Sequence, residues 1–105
     1  MPQVDIPDTW RAYQCGDYFG SPLAMTGAWD ADAQIWYVEP AEGLVEDANR
    51  GFLIIGRPGV DGITWGYRKG RPGIWVHYPL EDRFEHIADS ATALHERWRS
   101  GQILL

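Results

Sequence analysis

Between Gly51 and Tyr78 the chain runs as three short apolar segments divided by glycine-rich turns, GFLIIGRPGVDGITWGYRKGRPGIWVHY. Phe52-Leu53-Ile54-Ile55, Ile63-Thr64-Trp65-Gly66-Tyr67 and Ile74-Trp75-Val76-His77-Tyr78 are rich in β-branched and aromatic residues, and they predict three strands of a central sheet. The first is apolar throughout, which suits a strand covered on both faces. The other two alternate, with Ile63, Trp65 and Tyr67 on one face of the second and Ile74, Val76 and Tyr78 on one face of the third. Trp75 and His77 then point the other way. The tetrapeptide GRPG occurs twice, and Pro followed by Gly is the chemistry of a type II turn, so both copies are expected to be corners of a meander.

The flanking patterns are shorter. Pro7, with Asp8 beside it, introduces a brief helix through Trp10 and Tyr13 before Gly16, Gly20 and Pro22 interrupt it. Ala24 to Trp29 and Gln34 to Val38 are expected to form a hairpin about the turn Asp30-Ala31-Asp32-Ala33. Pro40 opens an acidic segment to Ala48, in which Ala41, Leu44 and Ala48 have helical spacing and Gly43 weakens the helix. Arg83 to Ala88 reads as a last strand. The closing helix is the best signalled, with Asp89 or Ser90 as cap, a stripe of Ala91, Leu94 and Trp98, Arg97 and Arg99 in its last turn, and Gly101 beyond it. Ile103, Leu104 and Leu105 are expected against the core.

The pattern therefore predicts an α+β protein with a mostly antiparallel sheet of about five to six strands, short helices packed on it and a C-terminal helix. At 105 residues the chain suits one domain with one core. Six Trp, five Tyr and three Phe must be buried or form a binding surface. Cys15 is the single cysteine, which excludes an internal disulfide and a multi-cysteine metal site. No apolar run is long enough to span a bilayer, and neither a basic start nor an apolar signal core is present, so the expected setting is cytoplasmic.

Net charge is −6, and it is unevenly spread. Up to Asn49 nine acidic residues face Arg11 alone, whereas the remainder is slightly basic. That asymmetry can steer a basic partner toward the first half, although for any single carboxylate plain solvation of an exposed face is the preferred reading.

Three stretches together resemble the SUKH superfamily of immunity proteins, which includes the fungal Smi and Knr regulators of cell-wall synthesis. Gly51-Phe52-Leu53-Ile54-Ile55-Gly56 followed by Gly59, Asp61, Gly62 and Trp65 is similar to that family's apolar strand and glycine turn. Ile87-Ala88-Asp89-Ser90 leading to Leu94 and Trp98 is similar to its closing helix pattern, and Ile6-Pro7 with Tyr13 to the start of its early helix. The order of strand, short acidic helix and main strand from Tyr37 to Ala48 also agrees. The resemblance covers roughly residues 34–101, with a shortened N-terminal helical part. It implies a sheet covered by helices, no cofactor, and binding of a protein partner, in bacterial members often a toxin.

The residues offer little for an enzyme. His77, His86 and His95 are nine apart each time, which fits no zinc-binding helix motif. Glu81, Asp82 and Glu85 beside His86 make a carboxylate-rich corner, an alternative metal or acid-base site that plain ion pairing explains as well. Asp30 and Asp32 lack the glycine and distal glutamate of a calcium loop. The glycines of the central stretch lack the Gly-Lys-Ser/Thr of a phosphate loop. Arg68-Lys69-Gly70-Arg71-Pro72 is similar to the core of an AT-hook, which makes DNA a second alternative, opposed by the acidic remainder.

The preferred reading is a non-enzymatic protein-binding module without metal or cofactor. Trp65, Trp75, Arg57, Arg68 and Arg71 are candidate contacts, since aromatic residues and Arg anchor interfaces, with core burial the competing role for each Trp. Glu42, Glu46, Asp47 and Asp61 are candidate contacts for a basic toxin domain. Oligomeric state is open on this sequence.

Overall fold

In the computed structural model, which describes residues 6–59 and 62–103, the central segments form consecutive strands of one antiparallel meander. Its strands are β3 (Val45–Asp47), β4 (Phe52–Gly56), β5 (Thr64–Arg68), β6 (Arg71–Tyr78) and β7 (Arg83–Ala88), in that spatial order. A second sheet is the hairpin of β1 (Ala28–Asp30) and β2 (Ile35–Val38). Two single-turn helices, α1 (Gly16–Phe19) and α2 (Leu23–Thr26), precede it, and α3 (Ala91–Arg99) closes the chain, so the architecture is α+β.

Alternation assigns the two faces of the meander. Leu53, Ile55, Trp65, Tyr67, Ile74, Val76 and Ala88 point inward to the core with Tyr13, Tyr18, Phe19, Tyr37, Val38, Ala91 and Leu94. Every helix packs on this side. β4 is buried on both faces except at Ile54, which is half-buried, and Phe52 is buried outside that core.

Polar atoms on the buried rings fix how the helices sit. The Trp65 indole is fully enclosed and donates from Nε1 to the Tyr37 carbonyl at 2.5 Å, tying the hairpin to the meander. Gly56 permits that approach, because a Cβ there would lie 2.0 Å from the same carbonyl. The Tyr67 hydroxyl donates to Asp17 Oδ2 at 2.8 Å, and the same oxygen accepts the Ala91 amide at 2.7 Å. One carboxylate oxygen thus joins α1, β5 and the first turn of α3, where a free helical N–H needs an acceptor. Burial, and then the charge of Asp17, push the Tyr67 hydroxyl far above its ordinary range, so it stays a donor. Ser90 caps α3 by accepting the Ala93 amide at 3.0 Å, and Gly101 follows with φ 74°.

Several expectations needed correction. Ala24 belongs to α2, not to a strand, because the Pro22 carbonyl accepts the Met25 and Thr26 amides and Gly27 with φ 64° ends the turn. The acidic segment is a 3-10 turn, Ala41–Gly43, and then edge strand β3, since Val45 to Asp47 pair with Phe52 to Ile54. The first GRPG does leave β4 through Gly59 at φ 83°. The second is not a corner: Lys69 and Gly70 make the turn, Arg68 pairs with Arg71, and Pro72 lies within β6. Gly73, at φ 90°, instead lies in the irregular pairing of β6 with β5, between the Arg68–Arg71 and Gly66–Trp75 pairs. Leu104 and Leu105 lie outside the described residues.

Beneath α3, the Tyr37 ring lies nearly parallel to Trp98 at 5.1 Å and to His95 at 5.7 Å, and its hydroxyl lies 2.8 Å from His95 Nδ1. Burial, and then Arg99, hold the His95 pKa below its ordinary value. The unfolded chain therefore takes up this proton first as pH falls, so the contribution is complete above about pH 6.5 and is lost through the window below it. His95→Gln should reduce the loss of unfolding free energy between about pH 7 and about pH 5 measured by urea titration. Equal losses in both proteins would contradict this. Asp17→Ala should lower unfolding free energy by about 3 kcal/mol, because it strands a buried hydroxyl and a helix N–H. A change below about 0.5 kcal/mol, the scale of an ordinary surface substitution, would show that Asp17 is not a tie.

Candidate protein-docking face

The outward side of the meander carries no helix among the described residues, and what covers it are its own side chains. Register places Val45, Ile54, Gly66, Trp75 and His86 in one row across β3 to β7. Asp47, Phe52, Arg68 and Arg71 form the next row. Phe84 and His77 are paired on the same face.

Rings converge there. Phe84 meets Phe52 edge-on at 5.0 Å and His77 at 4.8 Å, and Trp75 meets His86 edge-on at 5.3 Å. The Arg68 guanidinium carbon lies 4.1 Å from the Phe84 centroid and 5.0 Å from that of Trp75. Phe52 and His77 are thereby closed off, whereas Ile54, Trp75 and Phe84 stay half-buried and Val45 is 46% exposed. Trp75 Nε1 donates to the Pro72 carbonyl at 3.1 Å, which anchors the indole to the start of its own strand. The rigid backing and partial exposure give a surface of anchored aromatic rings, the type of group from which interface hot spots are made.

A charged chain closes one edge. Asp47 accepts from Arg50 at 2.9 Å, Arg50 donates to Asp82 Oδ1 at 2.9 Å, and Asp82 Oδ1 lies 2.8 Å from His77 Nε2. The His77 hydrogen bond, and then Arg50, hold the Asp82 carboxyl below the ordinary carboxylate range. Asp82 has φ 49°, so this residue keeps a left-handed conformation at the turn that brings its carboxylate back over His77.

Of the sequence-predicted contacts, Trp75, Arg71 and Asp47 come together on this face, with Asp47 engaged by Arg50. Trp65 does not: its indole is enclosed and hydrogen-bonded in the core, which corrects its assignment as a contact. Arg57 is exposed but follows β4 beside the hairpin, where its amide donates to the Trp36 carbonyl. Glu46 points to the helix side and is occupied, accepting from Trp10 Nε1 at 3.1 Å and from the Tyr13 hydroxyl at 2.8 Å. Burial, and then Glu46, raise that hydroxyl to about 12. Glu42 lies exposed on the helix side, at a groove lined with Pro7, Trp10, Phe19, Ala24 and Met25. The acidic candidates thus form no single patch. Asp61 lies outside the described residues.

The alternatives lose their geometry. Asp82 engages His77 and Arg50, while His86 lies 3.4 Å from Asp89, so Glu81, Asp82 and His86 do not converge. Among the described residues no group of three or more His, Cys, Asp or Glu is placed to hold a metal ion. Burial raises the Cys15 thiol to about 11, which keeps it un-ionised. The AT-hook-like segment is folded into a hairpin with Arg68 on its own aromatic rings, not extended for a minor groove. No helix among the described residues is long and apolar enough to cross a membrane.

Sequence reasoning missed Ile54, Phe52 and Phe84 on this face, and the pair Trp29 and Trp36 on the hairpin, 48% and 39% exposed with centroids 5.3 Å apart. Continued alternation from Trp75 and His77 across to β7 would have found Phe84. The chain matches no family model, no curated protein and no solved structure.

Titration of Asp82 by NMR should show His77→Phe and Arg50→Ala each moving its pKa upward toward the ordinary value. Stability tied to this carboxylate is present above its unfolded pKa and lost as pH falls through the folded one. An unchanged Asp82 titration in His77→Phe would show that the contact does not persist in solution.

Proposed function

We propose that this protein is a non-enzymatic binding module that docks a protein partner on the helix-free face of its meander. The observation carrying this is the half-exposed set of Trp75, Phe84 and Ile54 around an exposed Val45, on a sheet whose other face is filled with core. Rings of this kind have already lost most of their rotameric freedom, so a partner that covers them gains apolar burial at little further entropic cost. The resemblance to SUKH immunity proteins supports a toxin as the partner, with neutralisation as the outcome of binding. Net charge of −6 favours approach of a basic toxin domain at long range, independently of the chemistry at the point of contact.

The test is co-expression with the proteins encoded beside this chain, with toxicity and complex formation as readouts. Rescue is expected from the wild-type protein, with Trp75→Ala and Val45→Asp each weakening the complex by roughly thirtyfold, the scale of an interface hot spot. Thermal melts would establish that both variants fold. Full affinity in both variants, with loss in Trp29→Ala or Trp36→Ala, would move the interface to the hairpin and overturn the proposal.

A further inference from the structure

Three cations, Arg68, Lys69 and Arg71, stand within four residues at the β5–β6 turn of a chain whose net charge is −6. Among the described residues none of the three makes an ion pair, and the Arg68 guanidinium makes no hydrogen bond either. The carboxylates of the helix-free face are committed elsewhere, Asp47 and Asp82 both to Arg50. No buried side-chain nitrogen or oxygen lacks a partner, so the unpaired donors of Arg68 open to solvent.

Its position is unusual for a free arginine. Arg68 is half-buried, with its guanidinium held over both Phe84 and Trp75, so the group is fixed and partly desolvated before any ligand arrives. A guanidinium keeps its donors in its own plane, and aromatic contact through its faces leaves those donors available for a two-point contact with a carboxylate. Burial and the adjacent Arg71 both disfavour its charge, a cost that an incoming anion relieves.

We infer that Arg68, with Arg71 beside it, is the site that receives a carboxylate side chain of the protein partner, an Asp or Glu that sits against Trp75 and Phe84. The inference rests on the docking reading above and names its contact chemistry. A protein carboxylate is favoured over nucleic-acid phosphate because binding to a polyanion requires many simultaneous phosphate contacts, which the acidic remainder of this chain opposes.

The experiment selects peptides from a random library on the immobilised wild-type protein, after depletion on Trp75→Ala, and measures recovered peptides on wild type, Arg68→Lys and Arg68→Gln. Acidic residues should be enriched. Changing the acid to its amide should weaken binding to wild type about tenfold, and Arg68→Lys should do the same because Lys keeps the charge but not the planar fork. The amide peptide should then not distinguish wild type from Arg68→Lys. Acidic peptides that bind Arg68→Lys unchanged, or recovered peptides that are basic or uncharged, would overturn the inference and leave the docking face standing. Failure to recover any Trp75-dependent peptide would remove both. Tight, salt-steep binding of a DNA duplex that disappears in Arg68→Gln would also overturn the inference, in favour of phosphate. The acid-to-amide comparison uses only wild-type protein, so it holds even where a variant fails to fold.

Discussion

Every Tyr or Trp ring packed into the core beneath the helices brings one polar atom with it, and that atom must find a partner where water is scarce. Trp65 gives its N–H to the Tyr37 carbonyl, Tyr67 its hydroxyl to Asp17, Tyr18 its hydroxyl to the Glu39 carbonyl, Tyr13 its hydroxyl to Glu46, and Trp98 its N–H to Asp30. These partners lie on elements remote in sequence. The same rings that supply apolar burial therefore position the hairpin, α1 and α3. A core this rich in aromatic residues would otherwise slide, because apolar contact alone is weakly directional.

One-sided cover follows from that arrangement. The ties all draw helices and hairpin to the inward face of the meander, and the outward face is left to Phe52, His77, Phe84, Trp75 and Arg68 packing on one another. That packing closes two rings and leaves the rest half-exposed. Asp47 and Asp82 share the single guanidinium of Arg50, while among the described residues Arg68 and Arg71 make no ion pair. Anchored rings and unpaired guanidinium groups thus share a single face, a basis for orienting one partner in one way.

How much of this was legible depended on which interaction decided each element. The three central strands, β7 and α3 were readable because burial at period two or near 3.6 dominates them, and a serine cap and terminal glycine mark the helix. Val45 to Asp47 were misjudged because helical spacing of Ala41, Leu44 and Ala48 is a weak signal beside the pairing offered by β4, which is a tertiary effect. The second GRPG carried turn chemistry, yet the hairpin closed on Lys69-Gly70, where pairing of Arg68 with Arg71 places Pro72 inside a strand. For the candidate site, Trp75 was legible from alternation alone. Trp65 was ambiguous because its role depends on which face the helices take, and Asp17 was invisible because an isolated surface carboxylate gives no sign of the hydroxyl it will meet.

The claim at the centre of this account is that the helix-free face meets the partner. Cross-saturation NMR reads it directly, by transfer from a protonated partner to the deuterated chain in the complex. Attenuation concentrated on the Ile54 and Val45 methyls and the Trp75 indole is what a docking face of these residues predicts. Attenuation confined to Met25 and the indoles of Trp29 and Trp36 would contradict it.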